Sequence, residues 1–163
     1  MELLRAIERS FAKLHQPNHD ELKQVFKELE PWLHQVPSYK SEPEQLAYGR
    51  NVLYTSSNVE AIVIYIPGKQ STTIHDHGCS IGLAYLAAGQ LINTVYELDQ
   101  EGYPIEASAS SIRERTYFEA PAGQIHQLSN PRREPAISLH VYTPSMSNAK
   151  RYAPYSEILD YVI

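Results

Sequence analysis

Residues 46–144 predict an all-β fold, a sandwich or barrel, behind a helical segment over residues 1–45. Three observations carry that prediction. From about residue 46 the apolar pattern takes a period of two, and AYGRNVLYT, EAIVIYI, STTIHDH, IGLAYLAAG, LINTVYEL, ASSI, TYFEA and ISLHVYT are rich in β-branched and aromatic residues. Turn formers separate these runs: Ser56-Ser57-Asn58, Pro67-Gly68, Gly78, Ala88-Gly89, Gln100-Glu101-Gly102, Pro121-Ala122-Gly123 and Asn130-Pro131. The runs are short and regularly spaced, which is the pattern of stacked or closed antiparallel sheets rather than of a βαβ fold.

The helical segment reads as two helices. Leu3, Leu4, Ile7, Phe11 and Leu14 recur at helical spacing, and Pro17 interrupts them. Asn18 then suits an N-cap, with Glu21 as its capping-box partner. Leu22, Val25, Phe26, Leu29 and Leu33 form the next apolar face, and Pro31 should kink or end that helix. A short helix is expected around YSEILDYVI, inside a C-terminal tail over residues 145–163. All 163 residues are read as one domain, long enough to bury a core without metal or disulfide staples.

Composition removes several classes of function. A net charge of −5 disfavours nucleic-acid binding, which calls for a basic surface. The apolar runs are too short to span a bilayer. MELLRAIERS mixes charges into its apolar residues and does not read as a secretory signal. The single cysteine, Cys79, rules out an internal disulfide, and a cytoplasmic protein is expected.

The chemistry concentrates in IHDHG, residues 74–78. On a strand, His75 and His77 project from one face and Asp76 from the other. Two neutral imidazoles on one face can share a metal ion, each at about 2.1 Å. Taken alone, His–x–His is a weak signal. PAGQIHQLSN, residues 121–130, strengthens it, because its turn residues allow a tight hairpin that delivers His126 from another strand. Gly68, His75, His77, Gly89 and then Pro121, Gly123, His126 and Asn130 resemble the two signature motifs of the cupin superfamily. That resemblance implies a double-stranded β-helix, or jelly-roll barrel, with the site inside it. The glutamate that most metal-binding cupins place five residues after the second histidine is Gly82 here, which leaves three neutral ligands. Zinc accepts three histidines as well as iron does, and the donor set alone does not choose between them.

YGRN, residues 48–51, and SLHVYTP, residues 138–144, narrow the resemblance to the thiol dioxygenase branch and, within it, to bacterial-type cysteine dioxygenases. The family holds non-haem Fe(II) on three histidines and converts L-cysteine and O2 to cysteine sulfinic acid, the substrate chelating through thiolate and amine. The resemblance implies His75, His77 and His126 as iron ligands and Arg50 as the partner of the substrate carboxylate. It implies Tyr48 as a pocket tyrosine, and Ser138, His140 and Tyr142 as a hydrogen-bonded series beside the metal. Strand parity agrees: Tyr48 and Arg50 share a face, as do Ser138, His140 and Tyr142. A guanidinium also presents a planar fork suited to a carboxylate.

Each of these has a plainer reading. Arg50 alone suits a surface ion pair, and Tyr142 alone a barrel-core aromatic, since most of the 12 tyrosines must be structural. His15, His19 and His34 read as solvated side chains of the helical segment. Some family members join a cysteine to the tyrosine matching Tyr142 by a thioether. The matching position is Gly82, so Cys79 is expected to remain an unlinked thiol. Three alternatives stand beside cysteine oxidation: a dioxygenase for 3-mercaptopropionate or another short thiol acid, a metal-bound cupin that only binds a small acid, and a zinc hydrolase or isomerase. Arg50 speaks against the first, where glutamine usually takes its place.

Overall fold

The structure is a computed structural model that describes residues 2–160. It opens with α1 (Glu2–Phe11) and α2 (His19–Leu29). Asn18 caps α2 as its sequence requires: its side chain accepts from Glu21 N at 3.0 Å, and Glu21 Oε2 accepts from Asn18 N at 2.8 Å. Pro31 has no N–H to continue the α-helical ladder, so α2 ends at Leu29 and the chain tightens into a 3₁₀ helix over Glu30–Tyr39.

Ten strands follow: β1 (Gly49–Thr55), β2 (Glu60–Ile66), β3 (Ile74–His75), β4 (Ile81–Ala88), β5 (Gln90–Leu98), β6 (Pro104–Arg113), β7 (Tyr117–Ala120), β8 (Ile125–Ser129), β9 (Ala136–Thr143) and β10 (Arg151–Tyr152). They form two antiparallel five-stranded sheets, ordered β1-β2-β9-β4-β7 and β10-β3-β8-β5-β6. A last helix, α3, covers Tyr155–Asp160. The end of the helix expected over YSEILDYVI, residues 161–163, lies outside the described residues. Among the described residues no helix is long and apolar enough to cross a membrane.

Two apolar clusters explain the strand patterns. Leu3, Ile7, Phe11, Leu22, Phe26 and Leu29 from the helices pack on the outer face of the first sheet, against Ala61, Val63, Leu83, Leu139 and Val141. Inside the barrel, Ile62, Ile64, Ile66, Leu86, Leu91, Leu128 and Tyr142 form the second cluster. Strands β2 and β9 are therefore covered on both faces, and all eight residues of β9 are buried. Parity along β9 still separates two chemistries: Ile137, Leu139 and Val141 meet the helices, while Ser138, His140 and Tyr142 face inward.

Three elements differ from the sequence expectation. β6 is ten residues long, not the four of ASSI: Ile105, Ala107 and Ala109 do alternate with Glu106, Ser108 and Ser110, but alanines and serines on this exposed edge give the alternation little hydrophobic contrast. β3 stops at His75, so His77 lies beyond the strand, and Tyr48 likewise precedes β1. The stretch read as a tail supplies β10, which pairs Arg151 with His75 and Tyr152 with Ile74.

Candidate active site

The three histidines meet although only two lie on strands. β3 and β8 pair antiparallel with His75 directly opposite His126. His77 reaches the same point from the turn after β3. That turn is set by Asp76, whose Oδ1 accepts from Gly78 N and Lys150 N, both at 3.0 Å, and whose Oδ2 accepts from the Tyr152 hydroxyl at 2.7 Å. Asp76 thus spends its carboxylate on the C-terminal stretch and fastens it to the histidine loop; it does so from beyond the end of β3, where the parity of a strand no longer applies.

The ligand atoms of His75, His77 and His126 all lie within 4.8 Å of one another, and the Nε2 atoms of His75 and His77 are 3.2 Å apart. Two nitrogens each about 2.1 Å from one ion would sit roughly 3.0–3.4 Å apart in octahedral or tetrahedral arrangement. His75 Nδ1–H donates to the Thr73 carbonyl at 2.7 Å, and His126 Nδ1–H to Asn93 Oδ1 at 2.8 Å. Both bonds fix the tautomer that leaves Nε2 as a free lone pair, the outer support expected around ligating histidines. His126 Nε2 is buried without a partner, as is His77 Nδ1. Left orphaned, the His126 Nε2 acceptor costs about 1–3 kcal/mol, and a cation among the three rings would satisfy it. Burial, above all, lowers the pKa of each ring: His75 below its ordinary range, His77 to about 4, His126 well below 6.5. All three are neutral at pH 7, the form that binds metal. The residues present fit a metal ion.

Around this point lies a cavity of about 310 Å³. It is walled by Ile62, Ile64, Leu128 and Met146 and carries Tyr48 and Arg50 on one side. Arg50 is 39% exposed and its Nη2 lies 3.5 Å from Glu60 Oε1. Lys150 and Arg151 also line the cavity. On the inner face of β9, Ser138 Oγ lies 2.7 Å from His140 Nε2, and the Tyr142 hydroxyl 3.0 Å from His140 Nδ1. Complete burial drives the His140 pKa down to about 3 and raises that of the Tyr142 phenol. His140 is therefore a neutral ring that must donate at one nitrogen and accept at the other, and Tyr142 keeps its proton.

The structure thus gathers Tyr48, Arg50, His75, His77, His126, His140 and Tyr142 around one cavity, with Ser138 bonded behind His140. Of the histidines read as solvated, His15 and His34 are exposed and His19 is half-buried. Cys79 is an exposed free thiol in the turn after His77. Gly82 pairs with Tyr142 across β4 and β9, and a Cβ there would lie 2.9 Å from Tyr142 Cε1, the ring carbon next to the one bearing the hydroxyl. Sequence reasoning missed Asn93, although an asparagine within the apolar run LINTVYEL was a usable cue. It also missed Glu60, Met146, Lys150 and Arg151.

Residues 6–154 match the family described as cysteine dioxygenase type I. The chain belongs to that family. Solved structures agree on the fold. An uncharacterised double-stranded β-helix protein from Klebsiella pneumoniae is 18% identical over 72% of this chain and 94% of its own, with a TM-score of 0.57. An oxalate decarboxylase from Lactobacillus farciminis, solved as a formate complex, is 15% identical over 77% of this chain and 39% of its own, with a TM-score of 0.57. At such identities the likeness speaks for the double-stranded β-helix and not for a reaction. Family, fold and the three-histidine cluster together point to a thiol dioxygenase.

Proposed function

We propose that the chain oxidises L-cysteine with O2 to cysteine sulfinic acid, using iron(II) held by His75, His77 and His126. The observation that carries this reading is a guanidinium, that of Arg50, lining the same cavity as three converging neutral imidazoles. Such a cavity offers one end to a carboxylate and the other to a metal-bound thiol.

Iron(II), when bound, supplies Lewis-acid charge and the redox chemistry that O2 requires. Both oxygen atoms end on sulfur, so no separate reductant is consumed. Arg50 binds the carboxylate and sets the orientation of the amino acid. Tyr48 closes the pocket beside it. Ile62, Ile64 and Leu128 exclude water, which strengthens the polar contacts inside. Two proton arrangements satisfy the series on β9. In one, Ser138 donates to His140 Nε2, and His140 Nδ1–H donates to the Tyr142 oxygen, which leaves the phenol proton free to face the cavity. In the other, Tyr142 donates to Nδ1, and Nε2–H donates to Ser138. The first makes Tyr142 a donor to substrate or oxygen at the reacting end.

The test is anaerobic loading with Fe(II), followed by oxygen-uptake and product analysis with L-cysteine, cysteamine and 3-mercaptopropionate. The expected result is fastest uptake with L-cysteine and one sulfinate formed per O2. Faster turnover of 3-mercaptopropionate would reassign the substrate, and no uptake by iron-loaded protein with any thiol would overturn the dioxygenase reading.

A further inference from the structure

Glu60 is an unusual residue for the position it holds. It opens β2 and shares a strand face with Ile62 and Ile64, both of which line the cavity. Its cross-strand neighbour on β9 is Tyr142. Its side chain is only 13% exposed, and among the described residues Arg50 is its one ion-pair or hydrogen-bond partner. A carboxylate this enclosed is costly unless a cation answers it. Neither the metal ligands nor the Ser138–His140–Tyr142 series uses it.

Arg50, by contrast, has a long side chain that lines the cavity and is 39% exposed. Left alone it would sample many rotamers, and a substrate would have to order it on binding. Glu60 sits on a strand held between β1 and β9, so its backbone is fixed and its enclosed side chain has little room to move. It engages Nη2 alone, and the rest of the guanidinium fork stays available to a second carboxylate. The separation of 3.5 Å matters here. A short bidentate pair would occupy both arms of the guanidinium fork, whereas this single contact leaves its other N–H donors open.

We propose that Glu60 is a positioning residue that holds the Arg50 guanidinium in the orientation that receives the substrate carboxylate. This rests on the dioxygenase reading above, in which Arg50 binds that carboxylate. Glu60→Ala is expected to raise KM for L-cysteine about three- to tenfold, the cost of ordering one long side chain on binding, with kcat held within about twofold. Glu60→Gln keeps an acceptor oxygen and the side-chain shape, and should recover most of that loss. Cysteamine, which has an amine and a thiol but no carboxylate, should show no change in KM. In an Arg50→Ala background, Glu60→Ala should add nothing further.

The same series measured as anaerobic Kd for L-cysteine on iron-loaded protein reports on Glu60 whether or not O2 is consumed. Equal losses for L-cysteine and cysteamine would make Glu60 merely structural and overturn the proposal. A tighter KM or Kd for L-cysteine in Glu60→Ala would show that Glu60 competes with the substrate, and would overturn it as well. Absence of oxygen uptake by the wild type with every thiol would instead count against the dioxygenase reading, with the Kd series still deciding Glu60.

Discussion

Replacing Arg50 with alanine is the change that most directly probes substrate recognition. A lost hydrogen bond to a charged group costs about 1.5–3 kcal/mol, and the environment of Arg50 places the loss in that range's lower half. The side chain is 39% exposed, so water partly replaces it, and Glu60 already engages one nitrogen at 3.5 Å. A cost of about 1.5–2 kcal/mol corresponds to a fall of roughly ten- to thirtyfold in kcat/KM for L-cysteine. The assay is initial-rate oxygen uptake on protein of measured iron content, with L-cysteine and cysteamine in parallel. Most of the fall should appear in KM, and cysteamine kinetics should be unmoved because it brings no carboxylate. Parallel losses with both thiols, at unchanged iron content, would refute the argument that Arg50 acts on the carboxylate.

The remaining predictions concern the metal, the phenol and acid stability. Alanine at His75, His77 or His126 removes one of three protein donors, and each variant should bind less than one iron per chain by elemental analysis. Full iron in all three would place the site elsewhere. Tyr142→Phe should retain iron but lower turnover or uncouple O2 use from sulfinate formation, read as the ratio of the two. Cys79→Ser should cost little, because Cys79 is exposed in a turn while Gly82 occupies the position facing the Tyr142 ring. A Cys79–Tyr142 linked peptide two hydrogens lighter than the separate pair, found by mass spectrometry after turnover, would contradict this. His140 is neutral in the fold down to about pH 3, but charges below about 6.5 when unfolded, so the unfolded state binds the extra proton. Stability of the metal-free protein should therefore fall as pH drops from 6.5 toward 4, by up to about 1.4 kcal/mol per pH unit from this group. Urea midpoints should show that slope reduced in His140→Gln, and an unchanged slope would refute the assignment.

The features legible in the sequence are those decided by near neighbours. The capping box at Asn18 and Glu21 is complete within four residues, and the termination of α2 needs only Pro31. The inner face of β9 was legible by parity, since Ser138, His140 and Tyr142 are spaced by two whatever covers the other face. Features decided at a distance were not legible. β10 is two residues long and exists as a strand only because β3 offers an edge to it. Asp76 reads as a spectator between two histidines until Lys150 and Tyr152, more than 70 residues away, come to bond it. Asn93 lies 33 residues before the ring it orients. Glu60 reads as the polar start of a strand, because its meaning depends on where Arg50 of a neighbouring strand extends.

The site divides its work between the two sheets. His75 and His126 lie on the β10-β3-β8-β5-β6 sheet, His77 follows directly from it, and Asn93 on β5 orients His126. Arg50, Glu60, Ser138, His140 and Tyr142 all belong to the other sheet, whose outer face is packed under α1 and α2. The geometry of the three-histidine cluster is therefore local to one sheet, whereas its distance from Arg50, the proposed carboxylate partner, is set by how the sheets pack. The helices bear on that distance, since they press on the outer side of the sheet that carries Arg50. Truncating Phe11, 1% exposed on α1 and edge-on to Tyr54 of β1, removes packing from behind the strand that carries Arg50 and touches none of the three clustered histidines. Such a change should loosen substrate recognition while iron content holds. Arg50→Ala gives the same pattern through direct contact, and only the accompanying loss of overall stability, about 3–5 kcal/mol for a buried phenylalanine, separates the two.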